Sequence, residues 1–294
     1  MEFSTTQQNG ITLDGISFGG LSLLISRKGA EMVSLVRDGA GFLHRDGQTV
    51  PPAAGWANHA TVMGYFLHRL WQEQSVYRGK ILRGGNHGFL RHFDFEEPLK
   101  LADGLLYRVP SDQVPPDAYP LRVGFELAYR IADGAVRVEF SFENQEPVLE
   151  AHVSFGLHPG FAVSSIRDTR ILMPPGRYVR HFAPGNFLDG RTEALVFAGG
   201  DFPYPKSELP GSFILGIEGV PSRIFRLENA GRSVTLDFSE VPYVTFWSDS
   251  DDFVCIEPCW GLPDSNPPLP FEKKAGIQTI PPLGRLLRGF SITL

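Results

Sequence analysis

Cysteine is nearly absent: Cys255 and Cys259 are the only two in 294 residues. A disulfide framework is therefore excluded and a reducing compartment is expected. No apolar run approaches the roughly 20 residues that a membrane-spanning helix needs. The stretch Met1 to Gly10 has neither the basic start nor the apolar centre of a secretory signal. These absences point to a soluble cytoplasmic protein with no membrane partner. Basic character is also lacking, with a formal net charge of −6 and no run of Lys or Arg. Nucleic-acid binding needs a basic stripe to neutralise phosphates, so a nucleic-acid partner is not expected. Long helical patterns are missing because 32 Gly and 24 Pro interrupt almost every stretch long enough to hold one. There is no internal repeat and no low-complexity tract.

What is present is apolar and aromatic: 42% hydrophobic residues, including 23 Phe, enough for a sizeable core between sheets. Large all-β domains commonly reach roughly 200–250 residues, and with no linker-like break residues 1–294 read as one domain. Val123, Phe125, Leu127, Tyr129 and Ile131 alternate with small or charged residues, Asp133-Gly134 turns the chain, and Val136, Val138, Phe140 and Phe142 return. That pattern predicts an antiparallel pair with one apolar and one wet face. The same period recurs at Leu149, Ala151, Val153 and Phe155, at Val234, Leu236 and Phe238, and more loosely over residues 21–26 and 33–36. Turn signals such as Asn9-Gly10, Asp14-Gly15, Asp38-Gly39, Asp46-Gly47, Asp103-Gly104 and Asp189-Gly190 lie between. The chain reads as mainly β, a large antiparallel β-sandwich with few short helices. Residues 110–120 and the proline-rich 259–270 read as surface excursions, since proline removes a ladder donor.

Three distant segments carry chemistry: Gly84-Gly85-Asn86-His87-Gly88-Phe89-Leu90-Arg91, Ser154-Phe155-Gly156-Leu157-His158-Pro159-Gly160-Phe161, and Phe253-Val254-Cys255-Ile256-Glu257-Pro258-Cys259-Trp260-Gly261. Glu257 sits in an apolar strand that is read as ending at Pro258, where desolvation would raise its basicity. His158 is placed at a strand mouth, and a histidine near a carboxylate stays protonated around neutral pH. Arg69 offers a planar fork of donors, Arg91 either braces its loop or touches substrate, and Trp247 either stacks under a ligand or fills the core.

In this order, with Trp247-Ser248 and Ile256-Glu257-Pro258 in the final third, the chain resembles the aldose 1-epimerase (galactose mutarotase-like) family over nearly its whole length. The resemblance implies a galactose mutarotase-like supersandwich that interconverts the α and β anomers of a free sugar by acid/base ring opening. It implies Glu257 as base, His158 as acid, and His87 and Arg69 as substrate-binding residues, with Arg91 and Trp247 as further candidates. The family's His-Pro pair is usually followed by an aromatic, whereas here Gly160 precedes Phe161. The aspartate that many members use for distal hydroxyls has no matching string, and Asp189 and Glu208 are the nearest candidates. A hexose-6-phosphate 1-epimerase, using the loose concentration of Arg69, Arg78, Arg83 and Arg91 on phosphate, is the alternative enzyme. A catalytically silent carbohydrate-binding protein on the same fold is the alternative from another class. The expected partner is thus a monosaccharide or a sugar phosphate.

Other chemistries lack their patterns. No His-x-His pair with a following glutamate marks a metal cupin, no Gly-rich turn marks a dinucleotide site, and no cofactor is expected. A Gly-x-Ser-x-Gly elbow is absent. A glycosidase needs two carboxylates across the scissile bond, and one strong candidate is found. Cys255 and Cys259 read as ordinary buried thiols.

Overall fold

The structure is a computed structural model that describes residues 1–202 and 210–294. A nine-stranded and a seven-stranded antiparallel sheet carry most of the chain, with a five-stranded sheet built from the first residues, Glu2–Gln8 to Ala40–Gly41. Helix among the described strands is confined to short 3-10 turns such as Leu90–His92. The predicted hairpin is present as Val123–Ala132 paired with Ala135–Asn144. Asp133 (φ 52°) and Gly134 (φ 74°) both occupy the left-handed region, as a tight two-residue hairpin turn requires.

The two large sheets pack face to face through aromatic side chains. Phe140 and Phe142 of the nine-stranded sheet meet Phe155 of the seven-stranded sheet at 5.4 and 4.7 Å, and Phe155 stacks on Trp260 at 5.1 Å. Each such fully buried ring contributes about 1.5–3 kcal/mol by leaving water. Phe155→Ala would cost about 3–5 kcal/mol, because rigid neighbours on both sheets prevent collapse of the cavity.

The seven-stranded sheet runs Thr192–Phe197, Gly176–His181, Phe213–Gly216, Tyr243–Trp247, Phe253–Trp260, Phe155–Ala162, Ala60–Met63. Its central strands differ from the sequence expectation in two ways. The strand carrying Glu257 does not end at Pro258 but continues to Trp260, and His158 lies within Phe155–Ala162 and not at a strand mouth. Prolines are tolerated here because Pro159 and Pro258 both fall in a gap where the two strands do not exchange ladder bonds, Pro258 set against Leu157 and Pro159 against Ile256: pairing is recorded at Gly156↔Cys259 and resumes at Gly160↔Cys255. Asp14-Gly15 is likewise no turn but lies inside Ile11–Phe18, where the Asp14 carboxylate accepts two hydrogen bonds from Arg27 at 2.9 Å each.

Candidate active site

Period-two alternation sorts the central strands into two faces. Val254, Ile256 and Trp260 enter the core, so Cys255, Glu257 and Cys259 share the opposite face. The register completes a rung. Thr61 lies opposite His158, and Thr245 opposite Glu257. The pairs on either side of the proline gap set His158 against Glu257. Four strands thereby line up Thr61, His158, Glu257 and Thr245 along one row. His158 Nε2 is 3.2 Å from Glu257 Oε1.

The His87 arm comes from a loop. Its backbone N–H donates to the His68 carbonyl at 2.7 Å, and the His68 N–H donates to His87 Nδ1 at 3.1 Å. That second bond fixes the tautomer: Nδ1 accepts, so the proton sits on Nε2. His87 is held in the left-handed region at φ 63°, a conformation that non-glycine residues rarely adopt. Gly88 follows because a Cβ there would lie 2.2 Å from the Gly64 carbonyl oxygen. The His87 and His158 rings meet edge to face at 5.4 Å.

One cleft of about 140 Å3 gathers every site residue expected from sequence: Glu257, His158, His87, Arg69, Arg91 and Trp247. Trp247 is a half-buried wall, 5.5 Å from the His158 ring. Arg91 borders the cleft and also braces it: with the Asn58 amide oxygen turned inward, that oxygen accepts from Arg91 Nη2 and from Trp56 Nε1, both at 3.2 Å. Trp56 in turn lies 4.9 Å from the His158 ring. Arg69 stands exposed at the mouth. Asp189 is elsewhere, held by Arg191 at 2.7 Å, and Glu208 lies outside the described residues.

Sequence reasoning missed Trp56, Thr61, His68, Asn86, Asn186 and Ser212, which also line the cleft. Only His68 and Asn86 carried a signal, sitting beside Arg69 and His87. Beneath the rim, the loop after Trp260 is pinned by a buried Lys274–Asp264 ion pair. The Trp71 N–H donates to Asp264 at 3.0 Å and the Leu188 N–H to the Asp264 carbonyl at 2.8 Å. That residue thus ties together the segments bearing Arg69 and Asn186.

Burial sets the protonation. Desolvation pushes the Glu257 carboxyl well above the carboxylate range. Burial, with the His68 and Arg91 charges, pushes His158 down to about 3. His68 falls to about 4 and His87 well below its ordinary value, again chiefly by burial. The expectation that His158 stays protonated beside a carboxylate is therefore not met. The 3.2 Å contact is best described as a neutral hydrogen bond that shares one proton, because a dry environment disfavours two separated charges. Glu257 Oε2 and His158 Nδ1 are buried without partners among the described residues, a condition that asks for a ligand or a special role. The cleft thus presents one transferable proton, two unsatisfied polar atoms and two guanidinium groups.

Several solved structures superpose on the chain. A galactose mutarotase related enzyme from Lactobacillus acidophilus matches with a TM-score of 0.83 and 23% identity over 96% of both chains. A galactose mutarotase-like protein from Lactobacillus casei ATCC 334 matches with a TM-score of 0.82 and 23% identity, over 96% of this chain and 99% of that one. A galactose 1-epimerase from Lactobacillus acidophilus NCFM matches with a TM-score of 0.70 and 9% identity, over 99% of this chain and 97% of that one. No protein-family model matches the chain, and no curated protein matches it by sequence. Sheet order, central rung and these superpositions together assign to this chain, along nearly its whole length, the galactose mutarotase-like fold.

Proposed function

We propose that the protein is an aldose 1-epimerase acting on a small sugar, with Glu257 and His158 as its acid/base pair. The observation that carries this reading is the buried 3.2 Å contact between them at the base of a polar cleft. Ring opening needs a base to take the proton of the anomeric hydroxyl and an acid to protonate the ring oxygen as the C1–O5 bond breaks. The C1 carbonyl forms, the C1–C2 bond rotates, and the ring recloses on the other face. In the ion-pair form of the pair, Glu257 takes the hydroxyl proton and His158 gives one to the ring oxygen. The pair then holds its one proton on Glu257, which is the form burial favours. Reclosure returns the proton, so acid and base exchange roles without any net change. Sugar hydroxyls bonded to Glu257 Oε2 and to the imidazole would lower the cost of the ion-pair form, since hydrogen bonds to the charged form favour it.

The resemblance to galactose mutarotase-like structures supports a sugar substrate, and so does the size of the cleft. At about 140 Å3 it is small beside the ~300–1,000 Å3 typical of drug-sized ligands. His87 Nε2–H, Asn86, Asn186 and Ser212 supply neutral donors and acceptors for hydroxyls, and Trp247 with Trp56 supplies apolar faces. Asn186 and Ser212 are the cleft residues we assign to distal hydroxyls in place of an aspartate.

A second reading, a sugar phosphate as substrate, is favoured by one observation: Arg69 lies exposed at the cleft with no ion pair among the described residues. The deciding measurement is anomer exchange by NMR on a panel of free hexoses and their 6-phosphates. Acceleration on free sugars supports the first reading, and acceleration confined to phosphates supports the second. Binding without acceleration on any sugar would make the protein a silent carbohydrate binder.

A further inference from the structure

The face that presents Glu257 also presents a thiol two residues away. Cys255 is fully buried, and its Sγ, an imidazole nitrogen of His158 and a carboxylate oxygen of Glu257 all lie within 4.8 Å of one another. Metal–ligand bonds of roughly 2.0–2.3 Å place the donors of a tetrahedral zinc site about 3.3–3.8 Å apart. The His158–Glu257 contact of 3.2 Å is already near that spacing, and small side-chain rotations close the rest. Glu257 Oε2 and His158 Nδ1, buried and without partners among the described residues, leave spare polar capacity on two of the three donor residues. Two of the three donor residues, His158 and Glu257, also line the cleft.

Charge balance favours such an ion. A divalent cation held by a thiolate, a carboxylate and a neutral imidazole carries no net charge. A buried site penalises net charge above all, and Arg69 and Arg91 on the same cleft oppose any gain of positive charge. A neutral metal site meets both constraints. The sulfur, nitrogen and oxygen donor set selects zinc-like ions and disfavours Mg2+ or Ca2+. Cys259, on the other side of Glu257, is differently placed: its Sγ contacts the Thr245 hydroxyl at 3.8 Å and it packs with Met63 and Leu67.

We infer that Cys255, His158 and Glu257 form a binding site for a thiophilic divalent cation such as Zn2+, and that the bound ion silences the site. Silencing rests on the acid/base reading above, because the ion takes the lone pairs and the proton that reaction needs. Binding itself does not rest on that reading.

Titration of the intact protein with Co2+ tests the binding. A thiolate-to-cobalt charge-transfer absorption is expected, saturating at one ion per chain and suppressed by Zn2+. Cys255→Ser, or Cys255→Ala if the serine variant fails to fold, should lose the band, while Cys259→Ser keeps it. Zn2+ affinity should fall in the Cys255 variant by at least the roughly 10–100-fold that loss of even an outer partner costs. No band in the wild-type protein, or a band that survives in the Cys255 variants, overturns the site. In parallel, Zn2+ should stop anomer exchange and a chelator should restore it. Exchange that continues with the cobalt-competing concentration of Zn2+ present overturns the silencing, whereas a cobalt band in a protein with no anomer exchange overturns the epimerase reading alone.

Discussion

Glu257→Gln separates chemistry from folding at this site. The substitution keeps shape and hydrogen-bonding reach: the Gln amide N–H can donate to His158 Nε2 across the same 3.2 Å. It removes the proton that the pair exchanges, so anomer exchange should fall by roughly 10²- to 10⁴-fold, the usual worth of a positioned acid or base. Stability should move the other way, in a pH-dependent manner. The folded pKa of Glu257 is raised above its ordinary 4.5 by burial. The stability tied to that carboxyl is therefore fully present below pH 4.5 and is lost as pH rises toward the folded value. In that window the unfolded chain releases a proton that the folded chain keeps, at up to about 1.4 kcal/mol per pH unit. His158, whose folded pKa is depressed to about 3, acts oppositely, but it is present in both proteins and drops out of their difference. Denaturant unfolding of wild type and variant at pH 5 and pH 7 should show the variant gaining on the wild type between them, by no more than about 1.4 kcal/mol per pH unit. An unchanged difference would mean that Glu257 is ionised in the fold. A folded variant with near-normal anomer exchange would remove Glu257 from the mechanism.

The pH profile of kcat/KM should be a broad bell, active while the pair holds one proton. Its acid limb falls as His158 gains a second proton near its depressed value of about 3, and its alkaline limb falls where Glu257 loses its elevated proton. Both limbs belong to the coupled pair, and a rate rising monotonically with pH would defeat the two-group account. Arg69→Ala should raise KM with kcat little changed if Arg69 holds ground and transition states alike. A loss confined to phosphorylated sugars would favour the phosphosugar reading, and unchanged kinetics on all of them would leave Arg69 as a surface residue. Protein treated with chelator and dialysed should keep its full rate, and loss restored by one divalent metal would contradict a cofactor-independent reaction. Asp264→Ala should destabilise by about 3–5 kcal/mol, because it strands the buried Lys274 ammonium. Thermal melts should show Asp264→Leu combined with Lys274→Met recovering much of that loss, and equal melting of Asp264→Ala and wild type would show the pair to be idle.

Local alternation made much of the architecture legible. The hairpin from Val123 to Phe142 and its Asp133-Gly134 turn follow from side chains that repeat every two residues, which is a property of the strand itself. The string His87-Gly88-Phe89-Leu90-Arg91 and the setting of Glu257 among apolar residues were visible for the same reason: the relevant neighbours are adjacent in the chain. Proline misled, since Pro159 and Pro258 looked like strand ends and are instead tolerated inside the strands, in a gap where ladder bonds are interrupted. Trp56, Thr61 and Ser212 carried no local mark, because a cleft wall is defined by what faces it across space. The protonation of the pair was out of reach as well. Sequence brought a histidine and a carboxylate to mind as an ion pair, yet burial from both faces of a central sheet drives them neutral. The residue types and their faces were thus determined by the sequence, through the two-residue period of a strand. Tertiary structure alone decided that Thr61, His158, Glu257 and Thr245 share one rung, because cross-strand register depends on partners far apart in the chain.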